Sequence, residues 1–274
     1  MSDLQEWTLP DGRVVKLGNQ PPPAQFAFRA TFKWVEVPEF TDEQVKNFRP
    51  FDLTTFPGWP VKIRDQGNYG ACNGHAAVSS LEAARWLAGY DHFDLSPWFV
   101  YAILCGGVDA GSYIAEAVDL LGKTGACRNE LVPFGTIKPG KLTESAYDDA
   151  LRFRVEISLG KCRNFRDMII ATALRYPFNF SVSVNSNFNA LDAEGVPGNR
   201  SGQHNHAVAG GLGLKWSDKY KSWLFKAQNS WSTAWGDKGY FWAAPKTVAG
   251  TYADSYFIQA VKVLPAENNP KVVD

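Results

Sequence analysis

Cys72, Gln66, His206 and Asn229 are the side chains whose types and spacing could carry out nucleophilic acyl transfer. Cys72 lies in QGNYGACNGHAAVSSLEAA (66–84), where a glycine-punctuated turn (Gly67, Gly70) gives way to helix formers. A cysteine at a helix N-terminus feels the positive end of the dipole and the free N–H groups, which favour thiolate over thiol. Gln66, six residues earlier, can turn its side-chain amide toward the same point as an oxyanion donor. His206 opens an apolar strand (Ala207, Val208, Ala209) after a glycine-containing loop, and Asn229 ends the next strand-like run. On adjacent antiparallel strands, an asparagine can accept from one imidazole nitrogen and leave the other facing the thiol.

The elements that must hold these groups fall into two halves. Helices are predicted from Cys72 to near Gly89 and after Ser96-Pro97 up to Gly106-Gly107. Another is predicted after a Ser112 cap, with the stripe Ile114, Ala117, Val118 and Leu121. From near Arg152 the pattern turns to strands: 152–160, 178–186, 206–216, 222–231, 239–244 and 255–263. Residues 164–176 form a helix before Pro177, and Asp218–Lys221 makes a hairpin turn. The pattern predicts an α+β molecule with a helical lobe (51–151), an antiparallel β-sheet or barrel lobe (152–274) and a cleft between them. Residues 1–50 read as an N-terminal extension packed on this body, with a hairpin around Asp11-Gly12, a stiff Pro21–Pro23 connector and a strand over 26–37.

Composition narrows the function classes. Lys plus Arg and Asp plus Glu both total 28, so no net charge draws the chain to nucleic acid or an anionic membrane. No run approaches the roughly 18 apolar residues of a membrane span, and no signal peptide is visible, so a cytoplasmic or virion-associated protein is expected. Cys105, Cys127 and Cys162 lie far apart, without C-x-x-C pairing, and read as reduced structural thiols. His204 and His206 with Cys72 and His75 could be weighed as a zinc set. That would leave Gln66 and Asn229 without a role, so no metal and no cofactor is expected. The glycines near Cys72 lack the G-K-[ST] end of a phosphate loop.

QGNYGACNGHA resembles the Q-G-x-x-G-S-C-W-A segment of papain-like cysteine peptidases, Asn205-His206-Ala207-Val208 is similar to their N-H-A-V segment, and Asn229-Ser230-Trp231…Trp235-Gly236…Gly239-Tyr240 to their N-S-W-G-x-x-W-G-x-x-G-Y signature. The 134 residues between Cys72 and His206 suit that family. LSPWFVYA and TGACRNELVPF echo weaker segments, so the likeness covers residues 50 to 262. It implies the two-lobe papain-like fold and a cysteine endopeptidase. In that reading Cys72 is the nucleophile, His206 the acid/base, Asn229 the orienter and Gln66 the oxyanion donor. Trp231 shields the His206–Asn229 bond, and Trp231, Gly70 and Asn205 border the substrate, a protein or peptide. Three departures stand out: Asn73 follows the nucleophile, Tyr69 replaces a disulfide cysteine, and Ser232 replaces a glycine. The extension is shorter than the family's usual inhibitory propeptide and lacks its long helical motif, so nothing in it signals zymogen control. Two alternatives are a catalytically silent structural or binding protein of an assembly such as a phage particle, and a thiol hydrolase acting on peptidoglycan or an isopeptide.

Overall fold

The protein is described by a computed structural model covering residues 4–185, 187–251 and 253–263. The C-terminal lobe expected to run to Asp274 therefore extends, over 264–274, outside the described residues.

The first half is helical. Helix α1 spans Asp42–Lys46, α2 Cys72–Leu87, α3 Pro97–Cys105, α4 Ile114–Lys123 and α5 Glu144–Arg152, and α6 (Phe165–Ala173) lies in the second half. Ser96 caps α3 by accepting from the Phe99 N–H at 3.1 Å, and Gly106 ends it at φ 60°, as the Ser-Pro…Gly-Gly pattern predicts. Helix α4 is capped differently from the expectation. Its N-cap is Tyr113, whose N–H reaches the Glu116 carboxylate at 3.4 Å, while the Ser112 hydroxyl accepts from the Asn73 amide at 3.3 Å. Helix α6 stops at Ala173, short of Pro177, since Arg175 already turns to φ 63°. Helix α2 is buried along Cys72–Arg85, on every face. That explains its blurred apolar period: a helix enclosed all round has no polar stripe to set the phase.

The strands are β1 (Gln5–Thr8), β2 (Val14–Leu17), β3 (Lys33–Trp34), β4 (Phe51–Asp52), β5 (Val155–Lys161), β6 (Phe178–Val182), β7 (Gly202–Gln203), β8 (His206–Gly210), β9 (Gly213–Ser217), β10 (Ser222–Gln228), β11 (Tyr240–Ala243), β12 (Gly250–Thr251) and β13 (Ser255–Val263). The main sheet runs in the order β3-β5-β13-β6-β8-β10-β9-β4, with β11 also on β10. All its pairings are antiparallel except β3 with β5. The strand expected over 26–37 shrinks to Lys33–Trp34. Its aromatics instead pack as side chains, Phe28 and Phe32 edge-on to each other and to Trp34. The Asp11-Gly12 hairpin forms as read, pairing Gln5 with Leu17 and Thr8 with Val14.

Two apolar cores position the site. One, built on β6, β10 and α6, holds Phe178, Phe180, Phe225, Trp231 and Trp235. The other places α2 and α4 against the sheet, with Cys72, Val78, Ala207 and Ile258 in one cluster. Helix α2 thus lies on the face of β8, bringing its first residue to the start of that strand. Among the described residues, no helix is long and apolar enough to cross a membrane.

Candidate active site

Four sequence-distant groups meet where α2 begins. Cys72 is its first residue and is fully buried. Gln66 is held from both ends: its N–H donates to the Ser230 carbonyl (2.8 Å), and its Oε1 accepts from the Ser230 hydroxyl (2.7 Å). The amide nitrogen is thereby directed outward, donating to the carbonyls of Tyr69 (2.7 Å) and Lys16 (3.0 Å). His206 opens β8, and its Nε2 lies 2.8 Å from Asn229 Oδ1. The Ser230 N–H donates to that same oxygen at 2.8 Å, which identifies it as oxygen, so Nε2 must carry the proton. Nδ1 is then the basic nitrogen, and it is buried without a hydrogen-bond partner. Trp231 stacks on the imidazole at 4.5 Å and 28°, keeping water from the His206–Asn229 bond.

Residues 13–20, which include β2, fill the cleft over these groups. Ser112 N–H donates to the Gly18 carbonyl (2.9 Å), Gln20 N–H to the Ser112 carbonyl (2.9 Å), and Asn19 N–H to the Asn205 carbonyl (3.1 Å). The backbone N–H groups of Ala207 and Gly18 act to lower the Cys72 thiol, against its burial. The Lys16 carbonyl occupies the amide donor of Gln66. Ionic contacts pin the edges: Arg13 pairs with Asp65 and donates to the Trp231 carbonyl and Ser232 hydroxyl at 2.9 Å each, and Lys16 reaches Asp109 at 2.9 Å. Glycine is obligatory at 18, because a Cβ there would stand 1.9 Å from the Gly70 carbonyl oxygen.

Burial sets the electrostatics. Enclosure pushes the Cys72 thiol up to about 11, against the lowering effect of its backbone N–H donors. It pulls His206 down to about 4, against the opposing hydrogen bond to Asn229. In this closed arrangement the site holds a thiol and a neutral imidazole, and the thiolate–imidazolium pair is disfavoured.

Of the residues expected to border substrate, Gly70 and Trp231 both abut the 13–20 segment, and Asn205 meets it through its backbone carbonyl. The Asn205 side chain is spent internally, accepting from the Val184 N–H (2.8 Å) and donating to Gln5 Oε1 (2.9 Å). The departures at 73 and 232 have partners as well. Asn73 donates to the Ser112 carbonyl at 2.7 Å, steadying the loop that holds residues 18–20, and Ser232, at φ 65°, meets Arg13. Among the described residues, no group of three or more His, Cys, Asp or Glu side chains is placed to hold a metal ion, while His204 Nδ1 pairs with Ser181 (2.8 Å) and His75 Nδ1 with the Ala71 carbonyl (3.0 Å). Sequence reading missed the cleft-filling role of residues 13–20. Its only trace is the basic pair Arg13 and Lys16 flanking a β-hairpin and a glycine.

A cysteine at a buried helix start, an imidazole oriented by an asparagine and a glutamine amide aimed at a carbonyl form an arrangement able to carry out thiol acyl transfer, on a two-lobe α+β fold. The sequence profile of the papain family cysteine proteases matches residues 50–258, and the chain belongs to that family. It is 26% identical over 202 residues to a cathepsin B-like protein, CP2, of Giardia intestinalis, covering 68% of this chain and 65% of that one. It is 25% identical over 201 residues to cathepsin K of Gallus gallus, covering 67% and 55%. The chain thus spans less than two thirds of the length of either relative. Among solved structures, xylellain, a cysteine protease from Xylella fastidiosa, superimposes with a TM-score of 0.72 at 21% identity, over 96% of this chain and 99% of that one. Bromelain from Ananas comosus, bound to the E64 inhibitor, gives 0.57 at 20% identity, over 77% and 98%. Both show the fold.

Proposed function

We propose that the protein is a cysteine endopeptidase held latent by its own residues 13–20. The observation that carries this reading is the Gln66 amide, oriented by Ser230 as an oxyanion donor and occupied by the Lys16 carbonyl. When the segment leaves, water and substrate reach the cleft, and the thiol and imidazole ionise as a pair supported by the α2 dipole. The Cys72 thiolate attacks a peptide carbonyl, and the oxyanion takes the place of the Lys16 carbonyl on Gln66. His206 passes its proton to the leaving amine, and water then hydrolyses the thioester.

The polarity of the segment disfavours its own cleavage. The leaving amine must lie beside His206 and Trp231, so the amine half of a substrate crosses that side and the acyl half the Ser112 side. Residues 13–20 run from Trp231 to Ser112, in parallel pairing at Asn19 and Ser112, opposite to that direction. A carbonyl therefore sits on the donor while the nitrogen of its amide points away from the acid.

The test is labelling with the epoxide inhibitor E-64, read by intact mass and peptide mapping. Full-length protein should label slowly and only on Cys72. Gly18→Val, which pushes the segment off Gly70, should label at least tenfold faster and hydrolyse peptides. Absence of label in a folded Gly18→Val protein would favour a silent scaffold. Label without peptide turnover, but with release of muropeptides, would move the substrate to the cell wall.

A further inference from the structure

Behind the His206–Asn229 pair lies a cavity of about 10 Å³, bordered by Arg64, His75, Ser79, Gln228, Asn229 and Ser230 among others. That is the volume of one water-sized sphere. Four of these residues carry buried polar atoms without a hydrogen-bond partner: Arg64 Nε and Nη1, His75 Nε2, Gln228 Oε1 and Asn229 Nδ2. The chemical role of each follows from what its other atoms do. Asn229 Oδ1 is filled by His206 and the Ser230 N–H, so Nδ2 remains as a donor. Gln228 Nε2 donates to the Lys62 carbonyl (2.8 Å) and the Ser79 hydroxyl (3.2 Å), leaving Oε1 as an acceptor. His75 Nδ1 faces the Ala71 carbonyl, which can only accept, so the ring proton is on Nδ1 and Nε2 is a lone pair. Arg64 Nη2 is bound to Glu82 (2.6 Å) and Asp94 (2.5 Å), leaving Nε and Nη1 to donate.

With one of the two Arg64 N–H groups, two donors and two acceptors border one water-sized space, the complement of a single tetrahedral water. We infer that this cavity is a structural water site that ties the Asn229 carboxamide to Arg64, His75 and Gln228, making those three positioning residues for His206. The inference rests on reading His206 and Asn229 as the acid/base pair. A cation is disfavoured, because Arg64 already brings positive charge to the wall. A larger ligand does not fit the volume. Asn229 is then fixed at both ends, through Oδ1 by Ser230 and through Nδ2 by the water, so that the imidazole tautomer and ring plane are set before substrate arrives.

The full-length protein tests this directly. A high-resolution crystal structure should show one density peak within hydrogen-bond distance of an unpartnered atom on each of the four residues. His75→Phe keeps the ring bulk that packs edge-on to Trp98 at 5.3 Å but removes the acceptor. It should lose the peak and speed exchange of the His206 Nε2–H, seen by ¹⁵N-imidazole NMR, by about tenfold. His75→Gln, which restores an acceptor, should recover most of the protection. In a Gly18→Val background, kcat should fall about tenfold for His75→Phe, with KM little changed and with rescue by His75→Gln. A cavity without density in the wild-type protein, or a folded His75→Phe with unchanged His206 exchange, overturns the inference. If His75→Phe does not fold, the wild-type density and the His75→Gln exchange rate decide. Density and exchange are read in the latent protein, so a chain that never cleaves peptides would sink the peptidase reading while leaving this one to its own evidence.

Discussion

At the scale of single residues, the site is a chain of fixed orientations ending at a thiol. Ser230 contributes three of the contacts: its carbonyl and hydroxyl hold Gln66, and its N–H holds Asn229 Oδ1. The roles differ in how much rate each residue supports. In the opened enzyme, Cys72→Ala and His206→Ala should abolish peptide hydrolysis, since no other described thiol lies beside a base oriented in this way. Gln66→Ala should lower kcat by about 100-fold or more, the usual effect of losing one oxyanion donor. Asn229→Ala should lower it by about 10- to 100-fold, the worth of a hydrogen bond to a group that becomes charged. Steady-state kinetics on a fluorogenic peptide, with circular dichroism to confirm folding, would rank them. Equal losses for Gln66→Ala and Asn229→Ala in KM alone would contradict these roles.

In the proposed latent state the element that governs access is residues 13–20, the second arm of the β1–β2 hairpin and the three residues after it, and its hold has two unequal parts. Backbone bonds to Ser112 and Asn205, with the glycine contact at Gly18 and Gly70, seat it in the cleft. The ionic pairs are partly exposed, Arg13 at 35% and Lys16 at 28%, and such pairs contribute up to about 1 kcal/mol. Arg13→Ala should therefore raise the E-64 labelling rate only a few-fold. Gly18→Val, which forces a side chain against the Gly70 backbone, should raise it by at least tenfold. Higher salt should mimic Arg13→Ala and leave Gly18→Val unaffected. If Arg13→Ala equals Gly18→Val, the ionic latch rather than the close backbone fit controls opening.

For the whole molecule, closure and acid stability are linked through buried imidazoles. His206 is lowered to about 4 and His75 to about 3, in both cases mainly by burial. A histidine whose folded value lies below its ordinary 6.5 binds fewer protons folded than unfolded. Its stabilising effect is therefore complete above 6.5 and is lost as pH falls toward the folded value. The closed protein should lose thermal stability between about pH 6.5 and pH 4. E-64 labelling in that window should accelerate, because opening exposes His206 to solvent. A melting temperature flat from pH 7 to pH 4 would contradict the burial of both rings. His206→Phe should flatten part of the slope and leave the share of His75.

Much of this was legible along the chain. The helix start at Cys72, the Ser96-Pro97…Gly106 brackets, the Asp11-Gly12 hairpin and the alternating strands of the second half all announce themselves. Caps, turns and periodicities are set by neighbours a few residues apart. The segments around Cys72, His206 and Asn229 could be matched for a similar reason: close packing around a nucleophile, a base and an orienter restricts the residues beside each. What only the tertiary structure decided is how distant surfaces meet. Residues 26–37 alternate like a strand, yet their aromatics pack as separate side chains against one another, and strand pairing survives only at Lys33–Trp34. Ser112 has the makings of a cap, but its hydroxyl accepts from Asn73 while its backbone holds residues 18 and 20. The closure of the cleft by a reversed segment, and the gathering of Arg64, His75, Gln228 and Asn229 around one cavity, depend on contacts across 50 to 219 positions of chain, for which no local pattern exists.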